Sequence, residues 1–294
     1  MYVITGATGN SGRRIAETLL AAGKKVRAIG RDAERLSPLI EKGAEPFVGS
    51  LEDARAMAEA FTGATDAYVM VPPKMDSEDF RAYQNEVAAS LCSAISEAGV
   101  KRVVSLSSLG AELPEGTGPI AGLYDLEGRL NTLDGVAVLH LRPAYFMENW
   151  LLQIETIKRM HVAGSPIKED LEMPMIAIRD IAAFAAERLL KGDFEGHSVR
   201  ELHGQRDLTH EQAARVLGRA IGRDNLPYVE FAYEDYAKGM RDAGLSADVA
   251  RGIAEMYHAM NEGAIHPNEP RSPENTTPTS IEDFAPVFAA VYNQ

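Results

Sequence analysis

The sequence is poor in the residues that staple or metallate a chain. Its 294 residues hold one cysteine, Cys92. That excludes an internal disulfide and any site built from paired thiolates, and a reducing compartment fits best. Seven histidines (140, 161, 197, 203, 210, 258 and 266) show neither His-x-x-x-His nor a histidine–carboxylate spacing for a metal, so no metal is expected. Positive charge is also short: 30 Lys and Arg face 43 Asp and Glu, a formal charge of −13 at pH 7. A broad basic face for nucleic acid or for anionic lipid is therefore not to be expected. No run of about 20 apolar residues occurs, and Met1 leads straight into Tyr2-Val3-Ile4 without a basic n-region and apolar core, so we expect a cytoplasmic chain with no membrane anchor. Gly-Lys-Ser/Thr and Gly-x-Ser-x-Gly are both missing, which removes P-loop and hydrolase-elbow chemistry.

What is present is ordinary globular material, 45% hydrophobic and 25% charged. The length suits either two domains of about 150 residues or one large α/β domain. In the first half, short β-branched runs alternate with segments of helical period, the sequence form of βα units around a parallel sheet. Strands are expected at Tyr2–Thr5, Lys25–Ile29, Glu45–Val48, Ala67–Val71, Arg102–Leu106 and Val136–Leu141. Crossover helices follow from the stripes Ile15/Leu19/Leu20, Met57/Ala60/Phe61 and Phe80/Tyr83/Val87/Leu91/Ala94. Cys92, on the apolar side of the last of these, reads as a small core residue, and His140, inside a strand, as a satisfied core histidine.

The rhythm changes after Pro143. Phe146, Trp150, Ile154 and Ile157 predict a helix, Asp180 is placed to cap a helix over 181–190, and Ser198–Leu202 reads as one more strand. Thr209 with Gln212, and Ser280 with Asp283, have capping-box spacing. Four prolines at 267, 270, 273 and 278 forbid a regular helix and predict a loop wrapping the surface. The expected organisation is a doubly wound Rossmann-type domain over 1–150, also receiving 179–204, and a smaller C-terminal region over 151–294 that closes over the substrate.

Gly6-Ala7-Thr8-Gly9-Asn10-Ser11-Gly12 follows the first strand and opens the first helix, the context of a dinucleotide-binding turn. Gly6 permits the tight turn, Gly9 lets the backbone approach a pyrophosphate, and Gly12 allows helix to pack on strand. Arg31 stands at the end of the second strand, where an NAD-specific site places an acid for the ribose 2′-hydroxyl. A guanidinium suits a 2′-phosphate, with Arg13 and Arg35 as helpers, so NADP(H) is the expected cofactor. Two readings compete with this: a solvated surface arginine, and a one-residue slip that puts Asp32 at the ribose.

The Gly-x-x-Gly-x-x-Gly spacing resembles the short-chain dehydrogenase/reductase superfamily. Gly30-Arg31-Asp32, Gly49-Ser50-Leu51-Glu52-Asp53, Ser105 to Ala111, Leu141 to Asn149, Ile178-Arg179-Asp180-Ile181-Ala182 and Leu202 to Gly222 are similar to its NmrA-like atypical members, and the likeness spans nearly the whole chain. The resemblance implies cofactor contacts from Gly6, Thr8, Gly9, Asn10, Ser11, Gly12, Arg31, Ser50, Leu51, Val71, Pro72, Ser107, Tyr145 and Phe146. Ser50 stands where relatives usually carry an aspartate beside the adenine.

A full short-chain reductase uses a Tyr-x-x-x-Lys pair, and this chain lacks it. Tyr124 is the one tyrosine between the fifth and sixth strands, and Gly128 stands four residues on. Tyr124 and Ser107 are the catalytic candidates, Ser107 or Ser108 serving either as the superfamily's hydrogen-bonding serine or as a turn cap. With the pair incomplete, proton delivery is left to water or to the acceptor's own tautomerism. Walls of the cleft are expected from Tyr145–Asn149 and Val71-Pro72-Pro73. Met173-Pro174-Met175, Met256 and Met260 fit either a substrate wall or core. Two functions remain open: an NADPH-dependent reductase of quinones, azo dyes or enones, monomeric or homodimeric, and an NAD(P)-sensing regulator without turnover. No basic or disordered interaction arm supports the second.

Overall fold

A computed structural model describes all 294 residues, Met1 to Gln294. In chain order the first half reads β1 (Tyr2–Ile4), α1 (Asn10–Ala21), β2 (Val26–Gly30), α2 (Ala33–Ile40), β3 (Glu45–Val48), α3 (Ala54–Phe61), β4 (Asp66–Val69), α4 (Phe80–Ala98), β5 (Arg102–Leu106), α5 (Ala121–Leu130) and β6 (Ala137–Pro143). The second half continues with β7 (Tyr145–Phe146), α6 (Ile154–Met160), β8 (Ala163–Ser165), β9 (Met173–Ile176), α7 (Ile178–Lys191), β10 (His197–Leu202), β11 (Asp207–Leu208), α8 (His210–Ala220), β12 (Tyr228–Glu230), α9 (Tyr233–Asp242), α10 (Ala247–Asn261) and α11 (Ile281–Tyr292).

The seven-stranded sheet runs β3-β2-β1-β4-β5-β6-β10, and every neighbouring pair is parallel. Its strands are apolar on both faces because both are covered, and successive residues go to opposite layers. Val3, Val103 and Val138 pack with Met57, Phe61, Val87 and Leu91 on one side. Ile4, Val104 and Leu139 pack with Ile15, Leu19, Ile181 and Leu189 on the other. The chain order reverses between β1 and β4, the switch point at which doubly wound sheets open a crevice at their carboxyl ends. The last sheet strand, β10, comes from beyond the first 150 residues, pairing His197 with Val138 through Leu202 with Pro143.

A third core holds the C-terminal region together around Trp150, Ile157, Leu217, Phe284 and Phe288. Two small sheets serve it, β11-β9-β7 and β12-β8. The first places Tyr145 beside Met175 and so sets the C-terminal region against the end of β6.

Three local expectations change. The β4 strand ends at Val69, not Val71, because the Met70 amide donates to the Thr5 hydroxyl at 3.0 Å rather than to a neighbouring strand. The helix expected from Phe146 is split into β7, a 3-10 segment over Met147–Gln153, and α6. The cause is a long-range tie: the Glu148 carboxylate accepts from the Ile178 amide at 3.1 and 3.0 Å and pins the segment to the start of α7. Asp180 does not cap α7, which begins earlier, at Ile178. Its buried carboxylate instead accepts from the Thr279 amide (2.9 Å) and hydroxyl (2.6 Å), fastening the end of the proline segment. That segment, residues 266–279, is a strap without regular structure, as its prolines require.

Candidate active site

The glycine turn is built as its spacing predicts. Gly6 takes a left-handed φ of 60°, and a Cβ there would meet the Met70 sulfur at 2.8 Å. A Cβ on Gly12 would sit 2.5 Å from the Gly6 carbonyl oxygen and 2.8 Å from that of Thr5, so this glycine serves helix-on-strand packing. Gly9 differs: its backbone is extended, and a Cβ would meet only the Gly6 oxygen, at 3.2 Å. The space before Gly9 is thus left open by the protein. No side chain caps α1 there, which leaves its first-turn N–H groups free to receive an anion.

A cavity of about 220 Å³ opens at this turn, bringing together Gly6, Thr8, Gly9, Arg31, Ser50, Leu51 and Pro72. Arg35, Glu52 and Tyr83 line it too. Asp32 caps α2, its Oδ1 accepting from the amides of Glu34 (2.8 Å) and Arg35 (3.3 Å), and it does not line the cavity, which Arg31 does. Arg35 donates to the Thr8 carbonyl at 3.3 Å, and Arg13 instead pairs with Glu17 at 3.2 Å outside the cavity. Glu52 brings a negative charge, but the Lys74 ammonium 2.8 Å away holds its carboxyl below the usual range, helped by the Ser50 hydroxyl at 3.0 Å. The acid is neutralised within the wall, and two guanidiniums face the space. Glycine turn, uncapped helix start and arginine pair fit a dinucleotide bearing an extra phosphate.

Asn10 and Gly12 stand at the start of α1 and do not line this cavity, and the buried Ser11 hydroxyl accepts from Tyr68 at 3.0 Å. Val71 adjoins Pro72 on the loop leaving β4.

A second cavity of about 240 Å³ lies where β5 and β6 end. Tyr145, Phe146 and Asn149 form one wall, Met173 and Pro174 another, and Met256 and Met260, one turn apart on α10, a third. Of the methionines the sequence left between core and wall, Met173, Met256 and Met260 face this space, whereas Met175 is fully buried in the third core. Ser108 and His266 are its polar rim. Tyr145 is buried, which raises its phenol well above the usual value, with the neighbouring phenols of Tyr236 and Tyr228 adding to the rise.

The two catalytic candidates sit elsewhere. Tyr124 is 40% exposed on α5 and lines neither cavity. The buried Ser107 hydroxyl donates to Glu127 at 2.5 Å, and Arg142 grips the same carboxylate through Nε (3.0 Å) and Nη2 (2.7 Å). Arg142 reaches on to Glu112 at 2.8 Å. Ser107 is thereby committed to a structural network rather than free for a substrate. Sequence reading missed Glu127: its partners lie 15 and 20 positions away, a separation no motif spacing flags.

His140 and Cys92 behave as core. The Ser105 hydroxyl lies 2.7 Å from His140 Nδ1 and Asn131 Oδ1 lies 2.9 Å from Nε2, and burial pushes the imidazole down to about 4. Burial pushes the Cys92 thiol up to about 11, far from a working thiolate.

With this geometry in view, comparison with known proteins fixes the lineage. Residues 2–285 match the profile of the NmrA-like family. The chain belongs to that family. Among curated NmrA-like relatives, it is 27% identical over 257 residues to the NAD(P)H azoreductase of Xenophilus azovorans, covering 87% of this chain and 86% of that one. Among solved structures, the NADPH-dependent quinone oxidoreductase of Escherichia coli in complex with NADPH superposes with a TM-score of 0.82 at 22% identity, covering 97% of this chain and 98% of the other. The Citrobacter triphenylmethane reductase complexed with NADP(H) gives 0.79 at 20% identity, with 98% and 100% covered. The structural likenesses establish a shared Rossmann-type fold. No helix is long and apolar enough to cross a membrane.

Proposed function

We propose that this NmrA-like protein is an NADPH-dependent oxidoreductase that passes a hydride to a small conjugated acceptor of the quinone, azo or enone type. One observation carries the reading. An arginine-lined glycine cradle and an apolar, methionine-walled cavity lie along the same carboxyl edge of one sheet, and the chain carries no Tyr-x-x-x-Lys motif.

The bound cofactor would supply the hydride. Gly6, Gly9 and the start of α1 hold its pyrophosphate, and Arg31 with Arg35 holds the 2′-phosphate. Phe146, Met173, Met256 and Met260 then enclose a flat apolar acceptor and exclude water. Fixing the two reactants in contact lowers the barrier by several kcal/mol through orientation alone. Tyr145 keeps its proton and orients, because burial disfavours its phenolate. Acceptors whose reduced form is a delocalised anion need little acid assistance, whereas a simple ketone gives an alkoxide and needs much.

The test is NADPH oxidation measured against a panel of quinones, azo dyes, enones and aliphatic ketones. Turnover of the first three, with ketones poor, supports the reading. Tight NADPH binding with no turnover of any acceptor would favour an NAD(P)-sensing regulator instead.

A further inference from the structure

A reduction adds a proton as well as a hydride, and neither Tyr124 nor Ser107 is placed to give one. We propose that His266 is the proton donor, its imidazolium passing the Nε2 proton to the acceptor held in the methionine-walled cavity. The proposal rests on the reductase reading above. His266 opens the proline strap and lines the cavity between Ile265 and Pro267. Its Nδ1 lies 2.9 Å from the Gly263 carbonyl oxygen. A carbonyl only accepts, so Nδ1 carries a proton, and Nε2 is the nitrogen whose proton is gained and lost. The residue is exposed on its other side, open to recharging from water.

The strap is fixed close by, which a donor requires. The amides of Asn268 and Glu269 donate to Glu201 at 3.0 and 3.1 Å, and the Asn268 side chain donates to Glu112 at 2.9 Å. Glu201 is buried and lies 2.9 Å from His203 Nε2, and Glu112 is held by Arg142, the same guanidinium that grips Glu127. The network that takes Ser107 out of play therefore anchors the strap carrying His266. Tyr145 is the other titratable side chain of the cavity wall, and burial makes it a poor acid.

The step balances as follows. The acceptor gains two electrons and one hydrogen as hydride from the reduced nicotinamide, which becomes the oxidised pyridinium. The displaced electron pair moves to the acceptor's terminal oxygen or nitrogen, which bonds the Nε2 proton. The Nε2–H bond breaks, and the neutral imidazole left behind takes a proton from water.

Two experiments on the full chain test this. His266→Ala should lower kcat for a quinone about tenfold, less than the usual loss of a general acid because the delocalised anion also takes a proton from water, leave NADPH affinity unchanged, and recover turnover when free imidazole is added. Without any cofactor, 4-nitrophenol titrated into the wild type should bind as the yellow phenolate held by the imidazolium, and His266→Ala should lose that spectral shift. A kcat within about threefold of wild type, or a slowed variant that imidazole does not rescue and that still binds the phenolate, would overturn the proposal. If NADPH or every acceptor fails with the wild type, the reductase reading falls, and the nitrophenolate titration still decides whether His266 presents a proton to an oxyanion in the cavity.

Discussion

The arginine-lined cavity is bounded by residues between Gly6 and Tyr83, the turns that follow β1 to β4, whereas the methionine-walled cavity draws on segments spread from Ser108 to Pro267. The first is made of backbone, glycine and charge at fixed offsets from strand ends. The second is made of side chains from a strand-end turn, two methionines one turn apart on α10, a small antiparallel pairing and a proline strap. Binding a phosphate needs amides and a cation in a fixed place, which a single βα turn provides. Enclosing a flat apolar molecule needs walls on several sides, which only the folded chain assembles.

The largest expected effect breaks the first cavity while sparing the fold. Gly9 is extended and its Cβ would press on one atom only, the Gly6 carbonyl oxygen at 3.2 Å, so Gly9→Val should fold with at most a small drop in melting temperature yet lose detectable NADPH binding, because the side chain would fill the pyrophosphate's space. Gly12→Ala makes the control: its Cβ would press on the Gly6 and Thr5 carbonyls, so it should lower the melting temperature with or without cofactor. Thermal melts with and without NADPH separate the two. A Gly9→Val protein still stabilised by NADPH would show that this turn is not the phosphate cradle.

The same contrast explains what could be read in advance. β5 ends where its apolar run ends, and the glycine turn, the Arg31 position and both capping boxes are local patterns within a few residues. Phe146 to Ile157 kept its helical spacing, and Trp150, Ile154 and Ile157 are buried on one side, but Glu148 reaching Ile178 broke the helix. Asp180 looked like a cap because aspartate often is one, and it was claimed by Thr279 from 99 positions away. Glu127 and the anchored position of His266 were invisible for the same reason. Local chemistry is written in spacing, while long-range pairing of carboxylates is settled by packing.

A middle-sized effect sharpens the first cavity further. Arg31→Ala should weaken NADPH about tenfold while leaving NADH nearly unchanged, since one charge-assisted contact of about 1.5–3 kcal/mol is lost and partly replaced by water and by Arg35. Calorimetric titration of both cofactors reads it. Equal loss for the two would mean that Arg31 supports the turn rather than the 2′-phosphate.

The smallest expected effect lies outside both cavities. Tyr124 occupies the chain position at which a short-chain reductase carries its acid, so position alone argues for it. Geometry argues against: the side chain is 40% exposed and borders neither cavity, and the residue four positions on is Gly128 rather than a lysine that would favour the phenolate. A phenol is in any case a weaker acid than an imidazolium and so the slower donor to a delocalised anion. Tyr124→Phe removes only the hydroxyl and should therefore change kcat by less than about threefold, with KM for quinone and NADPH unmoved. Steady-state kinetics of this variant beside His266→Ala gives the decisive contrast. A loss of about 10²-fold in Tyr124→Phe would mean that the chain rearranges on binding cofactor to bring α5 to the acceptor, and that the methionine-walled cavity is not where the hydride lands.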